Sequence, residues 1–156
     1  MEYVVIGIDP DSEKHGIAIY RKNALCELLS LNSIELYVHL TQHEKTALSE
    51  SRLVIHMENP LGNSSSAFSH SKSEPLSVKF KKSESVGRVK QAQRSVEQLA
   101  ELLGIPVVHH RNSNAWKKGT QAELFKRITG WSGRSNEDTR SAAYFGWLGC
   151  KSTNRK

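Results

Sequence analysis

The sequence contains few of the features that mark a secreted, disulfide-stabilised or membrane protein. Its 156 residues include two cysteines, Cys26 and Cys150, which lie far apart and lack the close spacing of a zinc site. No run approaches the roughly 18 apolar residues of a membrane helix, and no charged and then apolar leader opens the chain. We therefore expect a protein of a reducing compartment that has neither a disulfide scaffold nor a membrane partner.

Acidic residues are scarce in the second part of the chain. Residues 1–60 hold 5 Lys and Arg against 9 Asp and Glu, whereas residues 61–156 hold 17 against 7. The whole chain carries a formal net charge of +6. A strongly basic part joined to an acidic one is typical of proteins that bind a polyanion such as nucleic acid, although a soluble surface with uneven charge gives the same count.

The apolar pattern predicts one α/β domain over residues 1–156. Three short apolar runs at 3–9, 16–20 and 25–31 are separated by turns and indicate an antiparallel β-meander. Later strands alternate with helices, which favours a five-stranded mixed sheet flanked by helices. The later elements are expected as a helix from Ser33 to about Glu50, a strand at 53–57, a helix at 89–103, a strand at 105–109, a helix at 121–129 ended by Gly130, and a last helix from Ser135 or Asn136 to about Leu148.

Two segments are expected to lie outside this regular pattern. Residues 61–85 show no helical or strand period, six of the twelve residues from Gly62 to Ser73 are serine, and Lys79, Lys81 and Lys82 follow. We interpret 61–85 as a long, mobile, basic loop with a functional role, the alternative being a plain solvated linker. Residues 150–156 form a basic tail.

Two apolar strands each end on a carboxylate. Asp9 closes the run that starts at Tyr3, and Glu58 closes the run that starts at Leu53. If these strands are neighbours, their carboxylates converge, and converging carboxylates raise each other's pKa unless a cation lies between them. Each acid alone has an ordinary explanation as a turn residue. Together they favour a site for a hard divalent ion, Mg²⁺ or Mn²⁺.

Asp138, at the start of the last helix, is the third candidate. Ser135 and Asp138 fit a capping-box start, which is the structural alternative. The small residues that follow allow this helix to lie close to the sheet, and its first turn then approaches the strand ends; they are Ala142, Ala143, Gly146 and Gly149. Three carboxylates in a basic protein favour a phosphodiester hydrolase with two metal ions.

The sequence resembles the RuvC-type Holliday-junction resolvases of the RNase H-like superfamily, and is nearest to their compact phage-type relatives. The resemblance consists of short segments spread over residues 3–148, and it is their order and spacing that indicate the family. The segments are Ile6 to Asp11, His15 to Ala18, Ile55 to Glu58, Gly87 to Gln93, Pro106 to Val108, Ser113 with Trp116 to Lys118, and Asp138 with Ala142 and Ala143.

This resemblance implies a Mg²⁺-dependent endonuclease that resolves four-way DNA junctions as a homodimer, in the cytoplasm of a bacterial or phage-infected cell. Asp9, Glu58 and Asp138 would bind two Mg²⁺ ions, with Mn²⁺ as a substitute. Either Lys117 or Lys118 would lie near the scissile phosphate, and Lys118 is taken as the catalytic one. The residues expected to contact DNA are Lys81, Lys82, Arg88, Lys90, Arg94 and Lys117, with Leu61 or Phe68 probing the base pairs at the junction.

The sequence departs from the family pattern at two positions. The family has glycine where Asp11 stands, and it has a second acid three residues after the first in the last helix, where Ser141 stands. The fourth metal ligand is therefore Glu137, Asp11 or none. Two alternative functions are a nuclease of this fold that acts on other branched or RNA-containing substrates, and a junction-binding module without catalysis.

The histidines and tryptophans are expected to be structural. His56 is interpreted as a buried core histidine, and His109 and His110 as strand-end residues that face solvent or backbone carbonyls. Trp116, Trp131 and Trp147 adjoin helix-forming sequence and are expected to pack in the core.

Overall fold

Five strands form one mixed sheet in a computed structural model that describes residues 2–46, 51–59 and 75–153, with the backbone alone at 43–46, 51 and 80. The elements in chain order are β1 (Glu2–Asp9), β2 (His15–Arg21), β3 (Ala24–Leu31), α1 (Ser33–Thr46), β4 (Ser51–Glu58), α2 (Leu76–Leu102), β5 (Val107–His110), a 3-10 turn (Gly119–Gln121), α3 (Ala122–Thr129) and α4 (Glu137–Thr153). The strand order is β3-β2-β1-β4-β5. The first three strands pair antiparallel, and β1–β4 and β4–β5 pair parallel, which confirms the expected sheet.

Side chains alternate between two apolar layers, one on each face of the sheet. Val4, Ile6 and Ile8 of β1 point into the layer that contains Leu36 of α1 and Val96 of α2. The other face carries Val5, Ala18 and Tyr20, which pack against Phe125 of α3 and Ala142 of α4. Because a strand has a period of two, Asp9 and Glu58 share this second face with Val5 and His56 respectively.

Helix α4 lies almost directly on the sheet. A Cβ atom added to Gly7 would stand 1.9 Å from the carbonyl oxygen of Ala142, and one added to Gly16 would stand 2.2 Å from that of Asp138. The Tyr20 hydroxyl also donates a 2.8 Å hydrogen bond to the Ala143 carbonyl. The close approach predicted from the small residues of α4 is therefore confirmed, and glycines in the strands complete it.

The expected loop at 61–85 is wrong for its last ten residues, because α2 begins at Leu76 rather than at 89. Its first four turns are mostly exposed, and burial against the core starts at Ala92. A helix that buries no apolar stripe leaves no helical period in the sequence. Residues 60–74, with Leu61, Phe68 and the serine-rich segment, lie outside the described residues.

Helix α1 buries the face that carries Leu36 and Leu40 rather than the face on which Ile34, Tyr37 and Val38 follow one another at helical spacing. Ile34 and Val38 are exposed, whereas Leu36 and Leu40 are buried. The cap of this helix is Asn32, whose side chain accepts the Glu35 N–H while Glu35 accepts the Asn32 N–H. Ser33, the predicted cap, lies one residue inside the helix, and its hydroxyl bonds with His15 instead.

The remaining boundaries differ less. Helix α3 ends at Gly130, as predicted, with a φ of 71° and its N–H bonded to the Lys126 carbonyl. Helix α4 continues to Thr153, so the first four residues of the basic tail are helical. None of the helices in the described part of the chain combines the length and hydropathy that a membrane span requires.

Candidate active site

Asp9 and Glu58 end neighbouring parallel strands on the face of the sheet that α4 covers. The pairing of β1 with β4 runs to Ile8 and Met57, one residue before each acid. Asp9 is 5% exposed, and Glu58 is half-buried and accepts a 3.0 Å hydrogen bond from the Ser113 backbone N–H. The sequence prediction that these two strands deliver their carboxylates to one edge of the sheet is consistent with this register.

Asp138 joins this edge from the first turn of α4. The structural alternative, a capping box between Ser135 and Asp138, does not hold: Asn136 accepts the Thr139 N–H at 2.8 Å, and the Thr139 hydroxyl accepts the Asn136 N–H at 2.9 Å. The cap therefore does not use the Asp138 carboxylate. Its backbone lies against Gly16, which pairs with Asp9 across β1 and β2.

A lysine lies among the three acids. The Lys117 Nζ is 3.4 Å from the Asp9 Oδ2, and its side chain is 29% exposed. The acids Asp9, Glu58 and Asp138 all act on its charge. Burial alone would lower the pKa of Lys117, but the carboxylates of Asp9 and Glu58 outweigh burial, so the pKa is raised and the ammonium form is stabilised.

The carboxylates are electrostatically coupled to one another. Burial raises the pKa of Asp9; Lys117 opposes this shift and Glu58 adds to it. Burial also raises the pKa of Asp138, and the charges of Asp9 and Asp11 raise it further. Removing these acids from water and bringing them together favours their protonated forms, and a cation at this site would reverse that preference.

Arg140 fixes the turn that carries Lys117. Arg140 is 6% exposed, and its guanidinium donates hydrogen bonds to the carbonyls of Trp116 at 2.8 Å and Lys117 at 2.7 Å. A third bond, at 3.2 Å, reaches the Ser135 hydroxyl. Trp116 itself has a φ of 65°, in the left-handed region, and its N–H is held by the Gln121 side chain. We call the three hydrogen bonds that Arg140 donates the Arg140 clamp. No role was assigned to Arg140 from the sequence, although an arginine so close to Ala142 and Ala143, which were expected to lie on the sheet, indicates a buried cation.

Asp11 lies in the turn that joins β1 to β2, directly after Asp9, and His15 ends that turn as the first residue of β2. Asp11 caps its own turn, accepting the Glu13 N–H at 2.9 Å, and its backbone N–H donates to the His15 Nδ1 at 3.1 Å. His15 is therefore neutral with its proton on Nε2, facing the Ser33 hydroxyl at 2.9 Å. Burial lowers the pKa of His15, which agrees with this neutral form.

The other predicted site residues differ in their exposure to solvent. Lys118 and Glu137 are exposed, whereas Asp11 is half-buried. Ser141, which stands where the family has an acid, is 1% exposed and lies beside Asp9, whose pKa it helps to lower. Within the described residues, neither the Ser141 Oγ nor the Asp9 Oδ2 makes a regular hydrogen bond.

The predicted DNA-binding cations of the described chain lie along α2. Lys81, Lys82 and Arg88 stand on the exposed first turns, and Lys90 and Arg94 follow. Arg88 forms an i,i+4 ion pair of 2.6 Å with Glu84. Lys117 lies at the carboxylates instead of on this helix.

His56 of β4 and His110 of β5 form a side-chain pair in which His56 is buried and His110 is half-buried. The His56 Nδ1 lies 2.8 Å from the His110 Nε2, and the His110 ring stacks on Phe145. Burial lowers the pKa of His56 to about 4. His56 is thus a satisfied core residue, as expected, whereas His110, which was expected to face solvent or backbone carbonyls, is half-buried and contacts His56 and Phe145 of α4 instead. His109 contacts Glu97 at 2.8 Å.

The expected packing role of the tryptophans is confirmed. Trp116 is buried at the centre of an aromatic cluster with Phe125, Tyr144 and Trp147. Trp131 packs half-buried against the same layer.

The donor set suits a hard divalent ion in its chemistry. Asp9, Glu58 and Asp138 offer carboxylate oxygens, and the buried Asp9 Oδ2 has the 3.4 Å ion pair with Lys117 but no regular hydrogen bond, so it is able to bind an ion. In the described ranges, however, no three carboxylate, imidazole or thiol groups surround a common point that would hold an ion. The Lys117 ammonium lies among them.

The fold matches that of solved RuvC structures at low sequence identity. No family model matches the sequence, and no curated protein matches it. The structure of Thermus thermophilus RuvC has a TM-score of 0.60 and 14% identity, and the match covers 97% of this chain and 96% of that one. T. thermophilus RuvC in complex with its Holliday junction substrate has a TM-score of 0.58, 15% identity and the same two coverages. The expected RuvC-like fold is therefore confirmed over nearly the whole chain.

Proposed function

We propose that this protein is a divalent-metal-dependent endonuclease that cleaves four-way DNA junctions. The observation that supports this most strongly is the placement of the buried Asp9 carboxylate with Glu58, Asp138 and Lys117 at one edge of the sheet. Acids at the centre of a basic protein would weaken a simple phosphate-binding site, because they repel the ligand. A hydrolase needs them to hold a metal ion.

Asp9, Glu58 and Asp138 are the proposed metal ligands. A bound Mg²⁺ or Mn²⁺ ion would supply the activated water and stabilise the leaving oxygen. Glu58 is oriented for this role by the Ser113 N–H, and Asp138 by the rigid first turn of α4. Of the two proposed fourth ligands, Asp11 is half-buried and Glu137 is exposed, and the charge of Asp11 raises the pKa of Asp138 more than that of Glu137.

Lys117 is the proposed catalytic cation in place of Lys118. Its ammonium lies beside Asp9, where the scissile phosphate must approach the metal ligands. A fixed positive charge at that position stabilises the negative charge that develops on the phosphate oxygens during hydrolysis. Lys118 is exposed and is better suited to a contact with the DNA backbone.

The DNA is proposed to lie along the exposed first turns of α2. Lys81, Lys82, Arg88, Lys90 and Arg94 give this helix a run of cations that match a phosphate backbone. Residues 60–74, which include Leu61 and Phe68, connect Glu58 with this helix and remain the proposed junction probe. Two active sites that cut opposed strands require two chains, so we propose a homodimer. We also propose that it acts in the cytoplasm.

A cleavage panel tests this function. The substrates are an immobile four-way DNA junction, a three-way junction, linear duplex DNA and an RNA–DNA hybrid, each with Mg²⁺, Mn²⁺ or EDTA. We expect paired symmetric nicks in the four-way junction that require the metal. Cleavage of the hybrid alone would assign the same chemistry to another substrate, and metal-independent junction binding without any cleavage would overturn the proposal.

A further inference from the structure

One buried histidine joins the turn after Asp9 to the first turn of α1. His15 is the first residue of β2 and is 2% exposed. Its Nδ1 accepts the backbone N–H of Asp11 at 3.1 Å, and its Nε2 donates to the Ser33 hydroxyl at 2.9 Å. Both ring nitrogens are therefore engaged, and the imidazole ties the turn to the helix.

The imidazole lies on the face of the sheet opposite the carboxylates. His15 is followed by Gly16, and a Cβ atom added to Gly16 would meet the backbone of Asp138. Because successive side chains of a strand point to opposite faces, the His15 side chain shares the other layer with Ile17 and Ile19. An effect of His15 on the chemistry must therefore pass through the turn that it holds.

The turn held by His15 carries Asp11, the acid that stands where the family has glycine. Asp11 is half-buried, and its carboxylate accepts the Glu13 N–H at 2.9 Å. Burial raises the pKa of Asp138, and the charges of Asp9 and Asp11 raise it further, so the Asp11 carboxylate acts on the site. A glycine at this position has no side chain to orient, and its turn needs no such anchor.

We propose that His15 is a positioning residue for Asp11: its acceptor nitrogen holds the Asp11 backbone so that the charge of this residue acts on the proposed metal ligands during junction cleavage. This inference rests on the proposed endonuclease function. The bond to Ser33 keeps the proton on Nε2, so Nδ1 is free to accept. A misplacement of about 1 Å at an active site costs up to roughly a hundredfold in rate, so the loss of this acceptor should lower kcat.

Two variants separate the two ring nitrogens. The side-chain oxygen of His15→Asn lies at the position of Nδ1 and is still able to accept the Asp11 N–H, whereas the amide of His15→Gln lies at the position of Nε2 and reaches only Ser33. Each variant replaces the same buried ring and loses one bond, so the urea midpoints should shift alike. On the four-way junction in Mg²⁺, we expect kcat to stay within about threefold for His15→Asn and to fall roughly tenfold or more for His15→Gln, with the junction affinity unchanged in both.

A double-mutant cycle tests whether His15 acts through Asp11. Asp11→Asn retains the backbone N–H and the bond to Glu13 but removes the charge. We expect His15→Gln to lower kcat roughly tenfold in the unmodified protein and less than about twofold in the Asp11→Asn background. Equal rates for the two His15 variants, or the same tenfold loss in both backgrounds, would overturn the inference.

Amide hydrogen exchange at Asp11, measured without DNA or metal, gives a readout that is independent of cleavage. Exchange should be slow in the unmodified protein and in His15→Asn, and roughly tenfold faster or more in His15→Gln, because a hydrogen-bonded amide exchanges only when it opens. Fast exchange in the unmodified protein would overturn the inference and leave junction cleavage standing. No cleavage by the unmodified protein would overturn the proposed function and, with it, this role of His15.

Discussion

The guanidinium of Arg140 donates a 2.7 Å hydrogen bond to the backbone carbonyl of Lys117. This bond joins the helix that carries Asp138 to the turn that carries the ammonium beside Asp9. The position of the Lys117 backbone relative to Asp138 is therefore set by a buried side-chain contact. An ion pair between two surface side chains has no such support.

Arg140→Gln is expected to lower both stability and catalysis. It leaves two buried carbonyls without their donor, which costs about 1–3 kcal/mol of unfolding free energy. In a cleavage assay below the unfolding temperature, kcat should fall while the affinity for the junction is retained. Arg140→Lys should restore little, because one ammonium does not reproduce the planar fork. Equal losses of kcat and DNA affinity would indicate a purely structural role.

Gly7→Ala is expected to destabilise the protein strongly. The added methyl group would overlap the Ala142 carbonyl, so α4 must move off the sheet, at a cost of about 2 kcal/mol or more. Gly87→Ala is the matched control: its Cβ meets nothing within 4 Å on an exposed helix, and it should stabilise by about 0.5–1 kcal/mol. Urea unfolding curves measure both. Equal effects at the two positions would contradict the close packing of α4.

The His56–His110 pair, in which His56 is buried, should make stability depend on pH. Since the pKa of His56 is lowered from 6.5 to about 4, the unfolded chain binds a proton in this interval that the folded chain does not. The unfolding free energy must then rise with pH between about 4 and 6.5. His56→Gln should reduce that rise by on the order of 2 kcal/mol. Urea unfolding in EDTA at pH 4.5 and 7 measures it, and parallel pH dependences in the two proteins would refute the assignment.

Binding of DNA along α2 should appear in the salt dependence. The double variant Lys81→Ala, Arg94→Ala removes two exposed cations, and the slope of log affinity against log salt concentration should decrease by about two. Fluorescence anisotropy with a four-way junction measures this slope. Arg127→Ala, an exposed cation on α3, serves as the control and should leave the slope unchanged. If the control lowers the slope as much, α2 is not the DNA-binding element.

The strands and the face on which their acids lie were predictable from the sequence. A run of apolar residues that ends on Asp9 or Glu58 reports both the strand and its end, because burial on both faces excludes polar residues until the edge. The small residues of α4 likewise predicted its close approach. Such patterns depend on burial, and burial is what the sequence records most directly.

The details that remained hidden are those that depend on contacts remote in sequence. The first turns of α2 bury nothing, so no period revealed them. Lys117 and Lys118 are neighbours of the same type, and which one faces the acids is decided by the left-handed backbone of Trp116 and the Arg140 clamp. The cap of α4 was left open between Ser135 and Asn136, because both are good caps, and the pairing of Asn136 with Thr139 decides between them.

The most direct test of the central claim compares the unmodified protein with Asp9→Asn on an immobile four-way junction in Mg²⁺. The account predicts that the unmodified protein makes paired symmetric nicks, and that Asp9→Asn binds the junction with similar affinity but does not cut it. Cleavage by Asp9→Asn at the unmodified rate would contradict the claim that the buried carboxylate is the centre of catalysis.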